Sequence, residues 1–233
     1  MLILALWILA FAVYGLKFVS SDWNEFTKFG KVGNRVYNIP SIDNRLGWIA
    51  FYGFSCTMLV LLIVVGMRPT TGNYMLFIHS FRRLLESLFI TKFTPRRMHI
   101  INFMAGLAFY FLVPVSLMLT NRPSSCTLVV FACIILNILQ FYVHFTLSRL
   151  VKYTIPQGIM FKYSTSPHYL IEILLYLMYF VLSPSLYSLL AFVFALMNLV
   201  HMSRMSYRWY TEKFGDEFVS LKRPPLFSLL MTW

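Results

Sequence analysis

His79–Ser80–Phe81–Arg82–Arg83–Leu84–Leu85–Glu86 places four ionisable side chains inside an apolar segment that runs from about residue 74 to residue 90. Each such charge near a bilayer centre costs roughly 2.5–3.5 kcal/mol on insertion scales, so groups of this kind face a partner, a polar cavity or a ligand. Residues 79, 83 and 86 recur along one helix face, and Arg82 and Glu86 stand four apart, close enough to pair. The stripe is either an ion-paired clasp between helices or a working site.

The surroundings explain why the charges are exceptional. The chain has 233 residues, 59% of them hydrophobic and 12% charged, with a mean hydropathy of +0.70. That composition describes an all-α polytopic membrane bundle in a single domain, 1–233. Seven apolar runs are long enough to be spans, at about 2–19, 47–66, 73–91, 98–120, 124–149, 168–184 and 185–205. The last two are separated only by Ser183–Pro184–Ser185, so they read as a tight helical hairpin or as a re-entrant pair. Pro114 is expected to bend the fourth. The first run lacks a basic start and a small-residue cleavage site, and it reads as a retained helix rather than a signal peptide.

The net charge of +12 fits topology better than nucleic acid, because the basic residues lie between apolar runs instead of forming one stripe. With Lys17, Arg82 and Arg83 set aside, one side carries Lys28, Lys31, Arg35 and Arg45, then Lys92, Arg96 and Arg97, then Arg149, Lys152 and Lys162, and the tail from Arg204. The other side carries Arg68 and Arg122. The positive-inside rule then predicts a lumenal or exterior amino terminus and a cytosolic carboxyl terminus.

Two further polar stripes accompany the first. Asn137, Gln140 and His144 share a face of the fifth run, and His168, Glu172 and Tyr176 follow at steps of four on the sixth. Any one of them would also serve to satisfy interhelical hydrogen bonds; three invite convergence. For His99 and His201 a structural role is expected. A metal centre is not: no HExxH pair or repeated Glu-x-x-His is present, and Arg82 and Arg83 would repel a divalent ion. A serine nucleophile lacks a GxSxG setting, and Cys56, Cys126 and Cys133 have no metal-ribbon or CxxC spacing. Lys152–Tyr153–Thr154–Ile155–Pro156–Gln157–Gly158 combines a cation, an aromatic and a bend, which suits a phosphate-bearing ligand or, equally, an interfacial belt.

Together His79–Glu86, Ile155-Pro-Gln-Gly158, Tyr163-Ser-Thr-Ser-Pro-His-Tyr-Leu-Ile-Glu172 and Trp209-Tyr-Thr-Glu-Lys-Phe214 resemble the steroid 5α-reductase family, specifically its polyprenal (polyprenol) reductase branch, over 74–233. The resemblance implies a multi-pass enzyme of the endoplasmic reticulum that uses NADPH to reduce a carbon–carbon double bond conjugated to a carbonyl. Its substrate in that branch is a long-chain isoprenoid aldehyde, reduced at its α-isoprene unit on the way to dolichol and protein N-glycosylation. No Rossmann unit is required, in keeping with the absence of a GxGxxG element.

On this resemblance His79, Arg83 and Glu86 position the substrate head or nicotinamide, and Tyr52 is a hydrogen-bond donor from the second span. Gln140, His144, Tyr153, His168, Glu172 and Tyr210 fall at dinucleotide-binding positions, with Arg149, Lys152, Lys222 and Arg223 available for phosphates. Ser80 stands where the steroid-reducing branch has an active-site Tyr, which makes an enone steroid or an enoyl thioester the secondary substrate. The ending also resembles isoprenylcysteine and phospholipid methyltransferases, but Ser166 replaces the Arg expected before Pro167–His168. A non-catalytic membrane scaffold is the third reading.

Overall fold

The computed structural model describes residues 1–19, 40–93, 95, 97–151 and 154–226. Lys28, Lys31, Arg35, Arg96, Lys152 and Tyr153 lie outside the described residues. The elements in chain order are α1 (Leu2–Val19), β1 (Ser41–Asp43), α2 (Asn44–Val64), α3 (Thr71–Phe89), β2 (Arg97–His99), α4 (Ile100–Met118), α5 (Thr127–Arg149), α6 (Ile159–Tyr163), α7 (Pro167–Leu182), α8 (Leu186–Phe214) and α9 (Asp216–Val219).

Every apolar run found in the sequence is a helix. Four of them, α2, α4, α5 and α8, are long and apolar enough to cross a membrane, while Leu2–Gly15 and α7 are apolar but shorter. The helix α3 has 19 residues, a length that spans roughly 28 Å, and it is the ionisable cluster that sets its composition apart. Its start is fixed by a capping box between Thr70 and Asn73, which satisfies otherwise orphaned backbone donors.

The two faces of α5 invert the pattern of a helix in a soluble bundle. On α5 the outward positions Leu128, Phe131, Ile135, Ile138 and Tyr142 are exposed, whereas Cys133, Asn137 and Gln140 are buried. A helix surrounded by hydrocarbon gains nothing by hiding leucine, so the costly polar groups go inside instead.

The two last helices form a hairpin about Ser183–Pro184–Ser185. Ser185 and Ser188 make a second capping box at the start of α8, and Ser183 Oγ lies 2.6 Å from Thr70 Oγ1, tying the hairpin to the start of α3. The sequence placed the end of the last span near residue 205, but α8 continues unbroken for 29 residues to Phe214. At 1.5 Å per residue it is about 43 Å long, well beyond ~30 Å of hydrocarbon. The Trp209–Phe214 segment is therefore a helical extension, not a separate tail. The helix α4 runs through Pro114, whose carbonyl accepts from Asn73 Nδ2 at 2.9 Å.

A small antiparallel sheet modifies the all-α expectation: Ser41, Ile42 and Asp43 pair with His99, Met98 and Arg97. Its strands feed directly into α2 and α4, so it brings those two helix starts together. Asp43 Oδ1 accepts from the backbone N–H of Arg45 and Leu46 and caps α2. Arg97 reinforces the pairing through Ser41. Three-residue strands carry too little periodicity to be read in sequence.

Beyond the sheet, α2 and α4 meet through rings. Phe51 stacks on Phe103 and Tyr110 at centroid distances of 5.5 and 5.7 Å, and Gly106 makes room, since a Cβ there would overlap the Phe51 ring. A second aromatic cluster joins α1 to α4 and α8, with fully buried Trp7 packed on Phe109 and Phe194 and donating to Ser116 Oγ at 2.9 Å. Gly106→Ala is expected to lower the stability of the detergent-solubilised protein by about 1–3 kcal/mol, seen as a fall in thermal unfolding midpoint, because the ring it meets is hemmed in by two others.

Candidate active site

Three helices converge on the stripe of α3. From that helix Arg83 Nε donates to Tyr52 Oη on α2 at 3.1 Å, and its guanidinium lies over the same ring, 5.0 Å from the centroid. Arg82 Nε donates to Asn137 Oδ1 on α5 at 3.0 Å, and its other nitrogens donate to Gln140 Oε1 and Glu86. Glu86, only 1% exposed, accepts from both arginines and lies 2.7 Å from His144 Nδ1 on α5. One carboxylate thus serves two guanidinium groups, as low-dielectric surroundings demand.

The third helix enters through Glu172 on α7. Its carboxylate lies 3.2 Å from His79 Nε2 and accepts from Gln140 Nε2. Arg82 Nη2 approaches His79 Nδ1 at 3.3 Å. A guanidinium can only donate, so Nδ1 is the accepting nitrogen and Nε2 carries the proton toward Glu172. The two carboxylates, two arginines and two histidines form one connected polar body, in which the stripes of α3, α5 and α7 meet as their spacing suggested.

Beside this body lies a cavity of about 630 Å³, within the range that holds a drug-sized ligand. Tyr52, Arg83, Gln140, His144, His168 and Glu172 line its polar end. The remainder is mostly apolar, with Leu6, Trp7 and Val13 of α1 facing Phe109 and Phe111 of α4 and Phe194 of α8. Leu9 and Met104 line the cavity and are also among the exposed apolar side chains, so the apolar end reaches the outer surface of the bundle between α1 and α4.

The remaining predicted site residues are distributed differently. His79 and Glu86 stand behind the wall, buried and in contact with residues that line it. Tyr210 lies in a cluster with Ile155 and Phe218 and is not among the residues lining the cavity. Arg149 is exposed with its guanidinium 4.3 Å from the Phe145 ring centroid. Lys222 is exposed and has a φ of 50°. Arg223 is 6% exposed and donates to Pro156 O at 2.6 Å and Gln157 Oε1 at 3.1 Å; burial holds its pKa below that of a free guanidinium. Two of its nitrogens are thus committed to the loop before α6. Among the described residues no group of His, Cys, Asp and Glu is arranged to hold a metal ion.

Several lining residues escaped the sequence reading. Tyr169 and Asn198 line the cavity; Asn198, a lone amide in the apolar run Leu196–Val200, was the available signal. Arg82 was read only as a partner for Glu86, yet it also bonds to Asn137 and Gln140 of the α5 stripe. The contribution of α1 had no signal at all, because its lining residues are apolar like the rest of that helix.

The segment after α9 closes over the loop preceding α7. Thr165 N donates to Pro224 O at 2.8 Å and Ser166 N to Pro225 O at 3.2 Å, and Arg223 adds the contacts to Pro156 and Gln157. In the Arg223→Ala protein, amide exchange across 154–166 is expected to accelerate at least tenfold while that of α5 is unchanged, as read by mass spectrometry. Glu86→Leu, which strands two buried guanidinium groups, should cost about 3–5 kcal/mol of stability, measurable by thermal unfolding.

Comparison with known proteins places this arrangement. The family model described as 3-oxo-5-alpha-steroid 4-dehydrogenase matches residues 98–223. The polyprenal reductase of Saccharomyces cerevisiae is 29% identical over 153 residues, covering 63% of this chain and 60% of that protein. Polyprenal reductase 2 of Arabidopsis thaliana is 29% identical over 188 residues, covering 60% and 55%. The polyprenal reductase of Xenopus laevis is 26% identical over 233 residues, covering 85% and 70%. The chain thus spans less than two thirds of the length of the first two. With a family match over more than half its length and its polar stripes gathered at one cavity, the chain belongs to the steroid 5α-reductase family, in the polyprenal reductase branch.

Proposed function

We propose that this protein is an NADPH-dependent reductase of the α-isoprene double bond of polyprenal, acting in the endoplasmic reticulum membrane on the route from polyprenol to dolichol. The observation that carries the reading is the shared cavity: a polar end built from four helices continues into an apolar end that reaches the lipid-facing surface. A long isoprenoid with one aldehyde has that same division. All seven long helices then cross the bilayer, with the amino terminus lumenal and the carboxyl terminus cytosolic, supported by the segregation of basic residues.

The residues present fit a reduced nicotinamide dinucleotide. A carboxamide needs both acceptors and donors, and Glu172, Gln140 and His168 supply both at one end of the cavity. Arg149 and Lys222, exposed near the opposite ends of the α5–α7 connection and its covering strap, have the charge for phosphates, together with Lys152. NADPH when bound supplies a hydride for the β-carbon of the enal.

The chain's own groups prepare the substrate for it. Tyr52 Oη accepts from Arg83 Nε, with the Tyr110 ring beside it, and in this reading its O–H serves the carbonyl oxygen as enolate charge develops there. Arg83, held by Glu86, keeps that phenol in place and adds positive potential. His79 and Glu86 act from behind, fixing Glu172 and Arg83. The apolar walls exclude water, which strengthens each of these interactions.

Ser80 favours the isoprenoid over a steroid. Its hydroxyl lies 3.0 Å from that of Ser55, both buried between α3 and α2, so the position at which the steroid-reducing branch has a Tyr contributes nothing to the cavity.

In detergent, the purified protein is expected to oxidise NADPH with polyprenal, and more slowly or not at all with a 4-ene-3-oxosteroid or an enoyl thioester. Tyr52→Phe should lower kcat by about 10²–10³-fold, the loss of one oxyanion donor, with little change in nucleotide affinity. Binding of S-adenosylmethionine without oxidation of NADPH would replace this reading by a methyltransferase, and no response to either would leave a scaffold.

A further inference from the structure

His144 Nδ1 occupies a position that a single nitrogen cannot satisfy in one state. It lies 2.6 Å from Arg83 Nη1 and 2.7 Å from Glu86 Oε2. The guanidinium can only donate and the carboxylate only accept. With a lone pair on Nδ1 the ring accepts from Arg83 and its lone pair faces the carboxylate; with a proton on Nδ1 it donates to Glu86 and meets the N–H of Arg83. Each state makes one good contact and one poor one, so neither placement of the proton satisfies both neighbours of Nδ1. The same ring lines the cavity, and 13% of the side chain is accessible.

The charges around it come from every neighbouring helix. From α3 it meets Arg83 and Glu86, with Arg82 attached to the same carboxylate. From α7 it faces His168, ring centroids 5.7 Å apart, with Glu172 and Tyr169 on the same cavity wall, and from α2 Tyr52 stands beyond Arg83. A carboxylate on Nδ1–H is the arrangement that orients an imidazole for acid–base work on the other nitrogen.

We propose that His144 is the proton donor to the α-carbon of the reduced enal, with Glu86 holding its Nδ1–H as a positioning residue. The proposal rests on the reductase reading above. A hydride from the reduced nicotinamide forms the β-carbon–hydrogen bond and leaves an enolate, with the nicotinamide oxidised. The enolate electron pair then takes the proton from His144 Nε2: the N–H bond breaks, the α-carbon–hydrogen bond forms, the carbonyl double bond is restored and its oxygen loses its charge. The imidazolium becomes a neutral imidazole whose remaining proton stays on Nδ1 beside Glu86, and solvent water replaces the lost proton before the next turnover. Of the groups that line the cavity, this ring combines access to the ligand with an orienting carboxylate on its far nitrogen. That pairing separates it from the donors serving the carbonyl oxygen.

The test uses the full chain in detergent with NADPH and a short-chain polyprenal. In His144→Gln, kcat is expected to fall about 10²–10⁴-fold, the scale of a lost general acid, well beyond any fall in NADPH affinity, which is read by nucleotide fluorescence without substrate. Wild-type kcat should decline with rising pH as the imidazolium titrates, and His144→Gln should lack that decline. Glu86→Gln should retain the decline but displace it along the pH axis. Wild-type product formed in D2O should carry one solvent deuterium at the α-carbon. Retained nucleotide affinity also shows that the variant is folded.

Nucleotide affinity that falls in step with kcat, or a pH profile identical in wild type and His144→Gln, overturns the assignment and makes His144 a dinucleotide ligand, with the reductase reading intact. A Glu86→Gln profile superposed on wild type removes Glu86 from the arrangement. Wild-type protein that binds NADPH but never oxidises it with any enal brings down the reductase reading and this inference with it.

Discussion

The carboxylate of Glu86 is the group on which this fold depends. Two guanidinium groups three and four residues before it on α3 have no water to solvate them, and at low dielectric an unpaired cation would drive the helix apart from its neighbours. Glu86 meets both, and each arginine still has nitrogens left over. Those surplus donors reach Tyr52 on α2 and Asn137 and Gln140 on α5. The need to satisfy a buried charge thus dictates which helices stand together. In hydrocarbon, where apolar contact alone gives weak preference among partners, such polar bonds select the arrangement.

The same groups that hold the bundle also build the site. Arg83 and Gln140 are interior braces on one side and cavity wall on the other, and Glu172 joins His79 behind the wall to Gln140 within it. Structure and chemistry therefore share one network, so substitution of a brace alters the wall. This also explains why a clasp and a working site were both sound readings of the stripe: the residues do both. The apolar half of the cavity is of another kind, formed by α1, α4 and α8 around Trp7, whose indole is fixed by Ser116.

At the other end of the site the chain relies on ordinary loop chemistry. The connection from α5 to α7 turns at Gly158, whose φ of 129° suits a residue without a side chain, and the segment around Pro224–Pro225 fastens it by backbone hydrogen bonds. Arg223, expected from the family resemblance to be available for phosphate, spends two nitrogens on this fastening. Its type and position suited either use, and only the path of the neighbouring loop distinguishes them.

By itself the sequence determined the helices and much of the polar network. Long apolar runs have no alternative to helix in a membrane, because every backbone group must be bonded within its own segment, and spacings of three and four align side chains wherever the helix lies. His79, Arg83 and Glu86, or Gln140 and His144, were therefore legible as stripes. Tertiary structure alone decided which stripes face one another, that Arg82 ties the α3 stripe to that of α5, and that Tyr210 is not among the residues lining the cavity. It also decided the short sheet, the extension of α8 and the role of α1, since an apolar residue lining a cavity and one facing lipid obey the same pattern. The physical reason is range: helix periodicity acts over a few residues, whereas Arg82 and Gln140 are 58 apart in the chain and meet only because packing brings their helices together.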